Sequence, residues 1–241
     1  MGKIIWRAGR SSIAAVGALA LLASSAVAQT EAEKQANTWI KICNKEPIPE
    51  RGADGQVTTR EANLCLTTME TFSRETGMML ASAAVRVTEG FDKKQLLVTV
   101  PLGMLLPVGL RATIVDAKVF KDFRENKAVD TKDMKLIPLT FLMCHVEGCA
   151  AETEAPDELI AQMKAGAGLI ILGQFVDRRP AAFSIPLLGF TAAHDGAPLE
   201  NPGAYFQART QQLAQIRAAY RERVIEAARE AQEKRNGQPK Q

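Results

Sequence analysis

From residue 38 onward the chain reads as short apolar or alternating stretches broken by glycine and proline. Thr38-Trp39-Ile40-Lys41-Ile42-Cys43 alternates with the period of two that a half-buried strand requires, and Pro47, Pro49, Gly52 and Gly55 then mark a loop. Residues 64–68 predict the next strand, which would let Cys65 meet Cys43 across a pair. The apolar run 78–87 turns at Gly90-Phe91-Asp92 into 94–100, the pattern of a hairpin. Breaks at Pro101-Leu102-Gly103 and Pro107-Val108-Gly109 precede a strand over 110–116, and the charge-rich residues 118–135 read as a solvated excursion. Strand chemistry returns over 135–144, and Cys144-His145-Val146-Glu147-Gly148-Cys149 is short enough to be a bridged turn. One helix is predicted in the body, over 156–164, opened by Pro156 and two acids and stopped at Gly166. Two more β-type runs follow, 168–175 and 182–190, separated by a turn at 177–180. Short strands punctuated this way predict a mainly β, antiparallel sandwich or barrel-like domain with one short helix.

The pattern changes beyond Asp195. Asn201 as cap and Pro202 in the first turn predict a helix entrance, and Asn236-Gly237 its end. Phe206, Leu213, Ile216, Tyr220, Val224, Ala227 and Ala231 share a narrow stripe on this C-terminal amphipathic helix. Such a stripe suits docking on the body or self-association with another copy.

The amino-terminal residues carry a different message. Lys3, Arg7 and Arg10 precede an uncharged stretch, 11–30, that ends in Ala26-Val27-Ala28. This order predicts a secretory signal peptide over 1–28, cut between Ala28 and Gln29. Residues 29–36 then form a polar leader, 37–195 the β domain, and 196–241 a linker and helical tail. The whole chain has 30 Lys and Arg against 27 Asp and Glu, so removing those three cations leaves it neutral and gives no basic face for nucleic acid. With 46% hydrophobic residues it can bury a core, and after cleavage no run is apolar enough for a transmembrane span.

Four cysteines, Cys43, Cys65, Cys144 and Cys149, suit an oxidising compartment. Three pairings are possible; Cys43–Cys65 with Cys144–Cys149 is preferred because bridges between sequence neighbours assume nothing about topology. The gaps between them match neither a zinc site nor a C-x-x-C redox pair.

The chemistry of the sequence is sparse. It lacks Gly-x-Ser-x-Gly, His-Glu-x-x-His and a P-loop, and Gly166-Ala167-Gly168 is short of a dinucleotide loop. His145 and His194 are its only histidines: the first reads as exposed by a bridged turn rather than as a ligand, the second as a surface-turn residue rather than half of a pair with Asp195. Asp130 with Asp133 and Asp157 with Glu158 decorate a charged excursion and a helix start, and Trp39 reads as a core anchor. Leu102, Leu105 and Leu106 form a candidate apolar loop. The expectation is therefore no catalytic residue, no metal and no cofactor.

Four stretches taken together carry a resemblance. Residues 38–43 with Cys65, Val100-Pro101-Leu102-Gly103 through Asp116, Phe141-Leu142-Met143-Cys144-His145-Val146-Glu147-Gly148-Cys149, and Leu187-Leu188-Gly189-Phe190-Thr191-Ala192-Ala193 resemble, in this order, the invasion-associated locus B family of secreted bacterial proteins. The resemblance covers about residues 37–195. It implies a periplasmic or envelope-associated β domain with two local disulfides and no known catalytic residues, under a name taken from host-cell invasion. The expected role is a non-catalytic envelope protein binding an envelope or host protein, a lipid or a glycan. The alternatives are a periplasmic hydrolase with a carboxylate site and a structural or chaperone-like envelope factor. The helical tail and the charged excursion near 118–135 depart from the family's compact form.

Overall fold

The computed structural model describes residues 38–52, 55–127, 129 and 134–236. The predicted signal peptide, its predicted cleavage site at Ala28 and Gln29, the expected polar leader and the pair Asp130 and Asp133 lie outside the described residues. The strands are β1 (Ile40–Arg51), β2 (Val57–Phe72), β3 (Met79–Thr88), β4 (Gln95–Val100), β5 (Leu110–Val115), β6 (Ile137–His145), β7 (Gly148–Glu154), β8 (Gly168–Gln174) and β9 (Pro180–Pro186). The helices are α1 (Ala117–Arg124), α2 (Asp157–Ala165), α3 (Phe190–Asp195) and α4 (Pro202–Asn236).

All pairings are antiparallel, in one sheet of nine strands ordered β1-β2-β3-β4-β7-β6-β5-β8-β9. The sheet coils until β9 touches β2 and β3, so its two halves enclose one core in a barrel-like wrap. Inward positions alternate as a strand dictates: Ala81, Ala83 and Val85 of β3 and Leu96, Val98 and Val100 of β4 are wholly buried. Trp39 and Phe190 cross edge to face at 4.9 Å within this core, and the Trp39 indole N–H donates to the Pro186 carbonyl at 2.8 Å.

Three local readings change against the structure. Strand β1 runs through Pro47 and Pro49, read above as loop punctuation. Cys43 faces Cys65 with Cα atoms 4.1 Å apart, the spacing of a non-hydrogen-bonded pair. Residues of the same parity, both prolines included, turn their nitrogens toward the open edge, so neither removes a ladder bond and both blunt that edge. The charged excursion opens with α1, capped by the Asp116 carboxylate, which accepts from the Val119 N–H at 2.8 Å. Phe120 of that helix lies on Gly168, where any Cβ would overlap its ring. The last β-type run stops at Pro186; Gly189, at φ 88°, turns the chain into α3 before Phe190. The body thus carries three short α-helices, and a 3-10 turn over Leu106–Val108, where one helix was expected.

Candidate functional site

Because β4 neighbours β7 rather than β5, the chain after Val100 must travel past β7 and β6 before it pairs again. That path places residues 101–109 across one end of the sheet. The β2–β3 turn, the β6–β7 hairpin tip and the β8–β9 turn fall at the same end, while α1, α2 and α3 follow strands that finish at the other. Backbone bonds bind these loops: the Leu105 N–H donates to the Gln174 carbonyl at 2.7 Å and the Val176 N–H to the Gly103 carbonyl at 2.9 Å.

Each of the four connections presents exposed apolar side chains: Met78 on the first, Leu102, Leu106 and Val108 on the second, Val146 on the third and Val176 on the fourth. Val146 is 92% exposed at the hairpin tip. Of the apolar loop read from the sequence, Leu102 and Leu106 are exposed and Leu105 is half-buried. Leu142 and Met143 extend the surface down β6 beside Leu106 and Val108, along a cleft of about 610 Å³.

The hairpin that carries Val146 is held rigidly. Cys144 and Cys149 pair directly across it, with Cα atoms 3.9 Å apart, and Gly148 lies so close to the Val100 carbonyl that a Cβ would collide with it. No free cysteine remains among the described residues. His145 precedes the tip, its Nδ1 accepting from the Glu147 N–H at 3.4 Å.

A second cleft, of about 790 Å³, lies at the same end between the hairpin tip and α4. Asn201 caps α4 by accepting from the Ala204 N–H at 2.9 Å. The helix then docks its first half beside the β2–β3 turn. Arg209, 8% exposed, pairs with Glu70 at 2.8 Å and lies 4.5 Å over the Phe72 ring. Arg217 donates through Nε to the Gly77 carbonyl at 3.1 Å, and Arg223 to that of Glu75 at 2.9 Å. Leu213 is buried, Ile216 and Tyr220 are half-buried, and from residue 221 to 236 every position is exposed. The stripe therefore meets the body over its first turns only. Arg209 was missed in the sequence, although it shares the helix face of Leu213 and Ile216, where a charged residue signals a buried partner.

His194, Asp195 and Asp157 are held elsewhere. His194 lies on α3 rather than in a surface turn; it stacks on Phe190 at 5.3 Å, with Nδ1 3.4 Å from the Thr67 hydroxyl. Burial, followed by the charge of Lys164, holds its pKa below the ordinary histidine value. Asp195 turns away to Lys164, at 2.7 Å, whose hydrogen bond lowers the carboxyl's pKa. Asp157 is bound by Lys94 and likewise lowered by that bond. Neither cleft receives a histidine. Among the described residues no group of His, Cys, Asp and Glu is clustered to hold a metal ion.

A family model described as Invasion associated locus B (IalB) protein matches residues 39–198. Among solved structures, the crystal structure of invasion associated protein B from Bartonella henselae is similar to this chain at 15% identity, covering 66% of this chain and 91% of that one with a TM-score of 0.45. No curated protein matches. The tail helix α4 begins just past the matched segment.

Proposed function

The chain belongs to the invasion-associated locus B family, and on that premise we propose that it is a non-catalytic protein of the bacterial periplasm that binds an envelope or host partner through the apolar end of its sheet. The observation that carries this reading is the convergence of four separate connections, each with exposed apolar side chains, on one end of a sheet whose other end is covered by helices. Single exposed apolar residues are ordinary on any protein; here several gather at one end of the sheet, on loops braced by a disulfide and by cross-loop backbone bonds. His194, Asp157 and Asp195, three of the residues singled out in the sequence, are engaged in packing and ion pairs away from that surface. Among the described residues no helix is long and apolar enough to cross a membrane, and the predicted export signal in the sequence supports the proposed compartment.

The test is the double variant Leu106→Glu, Val146→Glu, produced in its own cell. Both side chains are exposed, so folding is retained, and the proposal expects release of the protein from sedimented envelope. A folded double variant that still sediments sinks the reading. Reproducible turnover of an envelope substrate, lost when a carboxylate is replaced, moves the protein to the hydrolases. Amino-terminal sequencing of the same material should begin at Gln29.

A further inference from the structure

The cleft under α4 differs from the rest of the apolar end in being concave and in carrying charge. Its volume lies in the range of about 300–1,000 Å³ common to small-molecule sites. Phe72, Met79, Leu102, Phe206 and Leu213 line it, from two strands, the crossing loop and the tail helix. Met79 and the rim residue Met78 add side chains that adapt to an aliphatic occupant.

Two arginines lie along the helix wall. Arg209 is committed to Glu70, yet its Nε–H is buried without an acceptor. Arg217 uses Nε on the Gly77 carbonyl, and no carboxylate of the described residues pairs with its guanidinium. The remaining acid of the cleft, Glu147, lies on the opposite side at the hairpin tip. An anionic group is therefore drawn to the α4 wall and repelled from the tip.

We propose that this cleft binds a long-chain carboxylate, a fatty acid, with its aliphatic chain between Leu102 and Leu213 and its carboxylate on Arg217. The inference rests on the binding reading above and names the ligand class for one part of the same surface. No covalent step is involved. Apolar burial supplies affinity for the chain, and the guanidinium selects an anionic head over a neutral or cationic one.

The probes are laurate, dodecanol and dodecyltrimethylammonium, titrated calorimetrically below micelle formation into the exported protein. Laurate should saturate at one equivalent, dodecanol should bind more weakly and the cation should show no saturation. Losing one charge-assisted hydrogen bond, Arg217→Ala should weaken laurate about tenfold and dodecanol by a smaller factor, the part that both share through the docking of α4. Because Arg217 also helps dock α4, Leu102→Trp is the second variant; it fills the cleft from the facing loop and should weaken both probes. Equal binding of the cation, or laurate binding insensitive to both variants, overturns the proposal. So does a dimer in sedimentation that buries Met78 and excludes laurate, which assigns the cleft to a second copy. If laurate fails while Leu106→Glu, Val146→Glu still releases the protein from the envelope, the ligand class falls and the binding reading stands.

Discussion

Replacing Glu70 by Gln should release the tail helix without unfolding the sheet. Arg209 is almost wholly buried against Phe72, and its carboxylate partner lies 2.8 Å away on β2. Removing one partner of a buried pair costs about 3–5 kcal/mol. Glu70 is 35% exposed, and its backbone carbonyl still accepts from Arg209 at 3.5 Å, so the lower figure applies. Against this, docking gains roughly 2 kcal/mol from burying Leu213 and about 1 kcal/mol from each of the arginine bonds to Gly77 and Glu75, before the cost of ordering. The loss is therefore comparable with the whole docking free energy, and the damage is capped there because α4 can leave. Hydrogen exchange of amides 205–217 should accelerate by about a hundredfold, since 1.4 kcal/mol is roughly a factor of ten. The urea midpoint of the sheet should stay in place. If the strand amides lose protection in step with α4, the helix belongs to the cooperative core and the boundary near 196–201 is wrong; unchanged exchange shows that the pair does not hold the helix.

Stability should fall as pH drops below 6.5, the ordinary value for His194, because the unfolded chain takes up a proton there that the folded imidazole, its pKa lowered by burial, accepts only at lower pH. His194→Asn should flatten that part of a pH series of urea melts, leaving the losses below 3.8 that come from the lowered carboxyls of Asp157 and Asp195. Gly148→Ala should destabilise by about 1–3 kcal/mol or more, read from the urea midpoint, since the new methyl meets the fixed Val100 carbonyl rather than a movable side chain. Non-reducing peptide maps of the protein taken from its own cells should contain Cys43–Cys65 and Cys144–Cys149. Replacing each pair by alanine should cost roughly 3 and 2 kcal/mol in the chain-entropy model; four free thiols would contradict the scheme.

What was legible in the sequence was local. Alternation marked strands, Asn201 and Pro202 marked the start of α4, and Gly166 the end of α2, because each signal acts within a few residues. The readings that changed turned on distant partners. Pro47 and Pro49 break a central strand but fit an edge, and edge position is set by strand order. The helix α1 hid in a charged segment because its apolar side consists of little more than Val119, Phe120 and Phe123, and its packing depends on a glycine some fifty residues later. The apolar end was visible only as Leu102, Leu105 and Leu106. Met78, Val146 and Val176 are single residues in separate turns, and only the crossing from β4 past β7 and β6 brings them to one end. His194 likewise gained its surroundings, Phe190 and Thr67, from α3 and β2 meeting across the core wall.

The claim that the apolar end is the binding surface is tested most directly by photocrosslinking in intact cells. A photoreactive residue is placed in turn at Leu106, Val146 and Val176, and as controls at Val57 and Leu188, which are also exposed but lie toward the opposite end. Covalent adducts are then identified by mass spectrometry. The account predicts the same adduct from all three apolar-end positions and none from the two controls. Adducts confined to Val57 and Leu188, or spread evenly over all five positions, would contradict it.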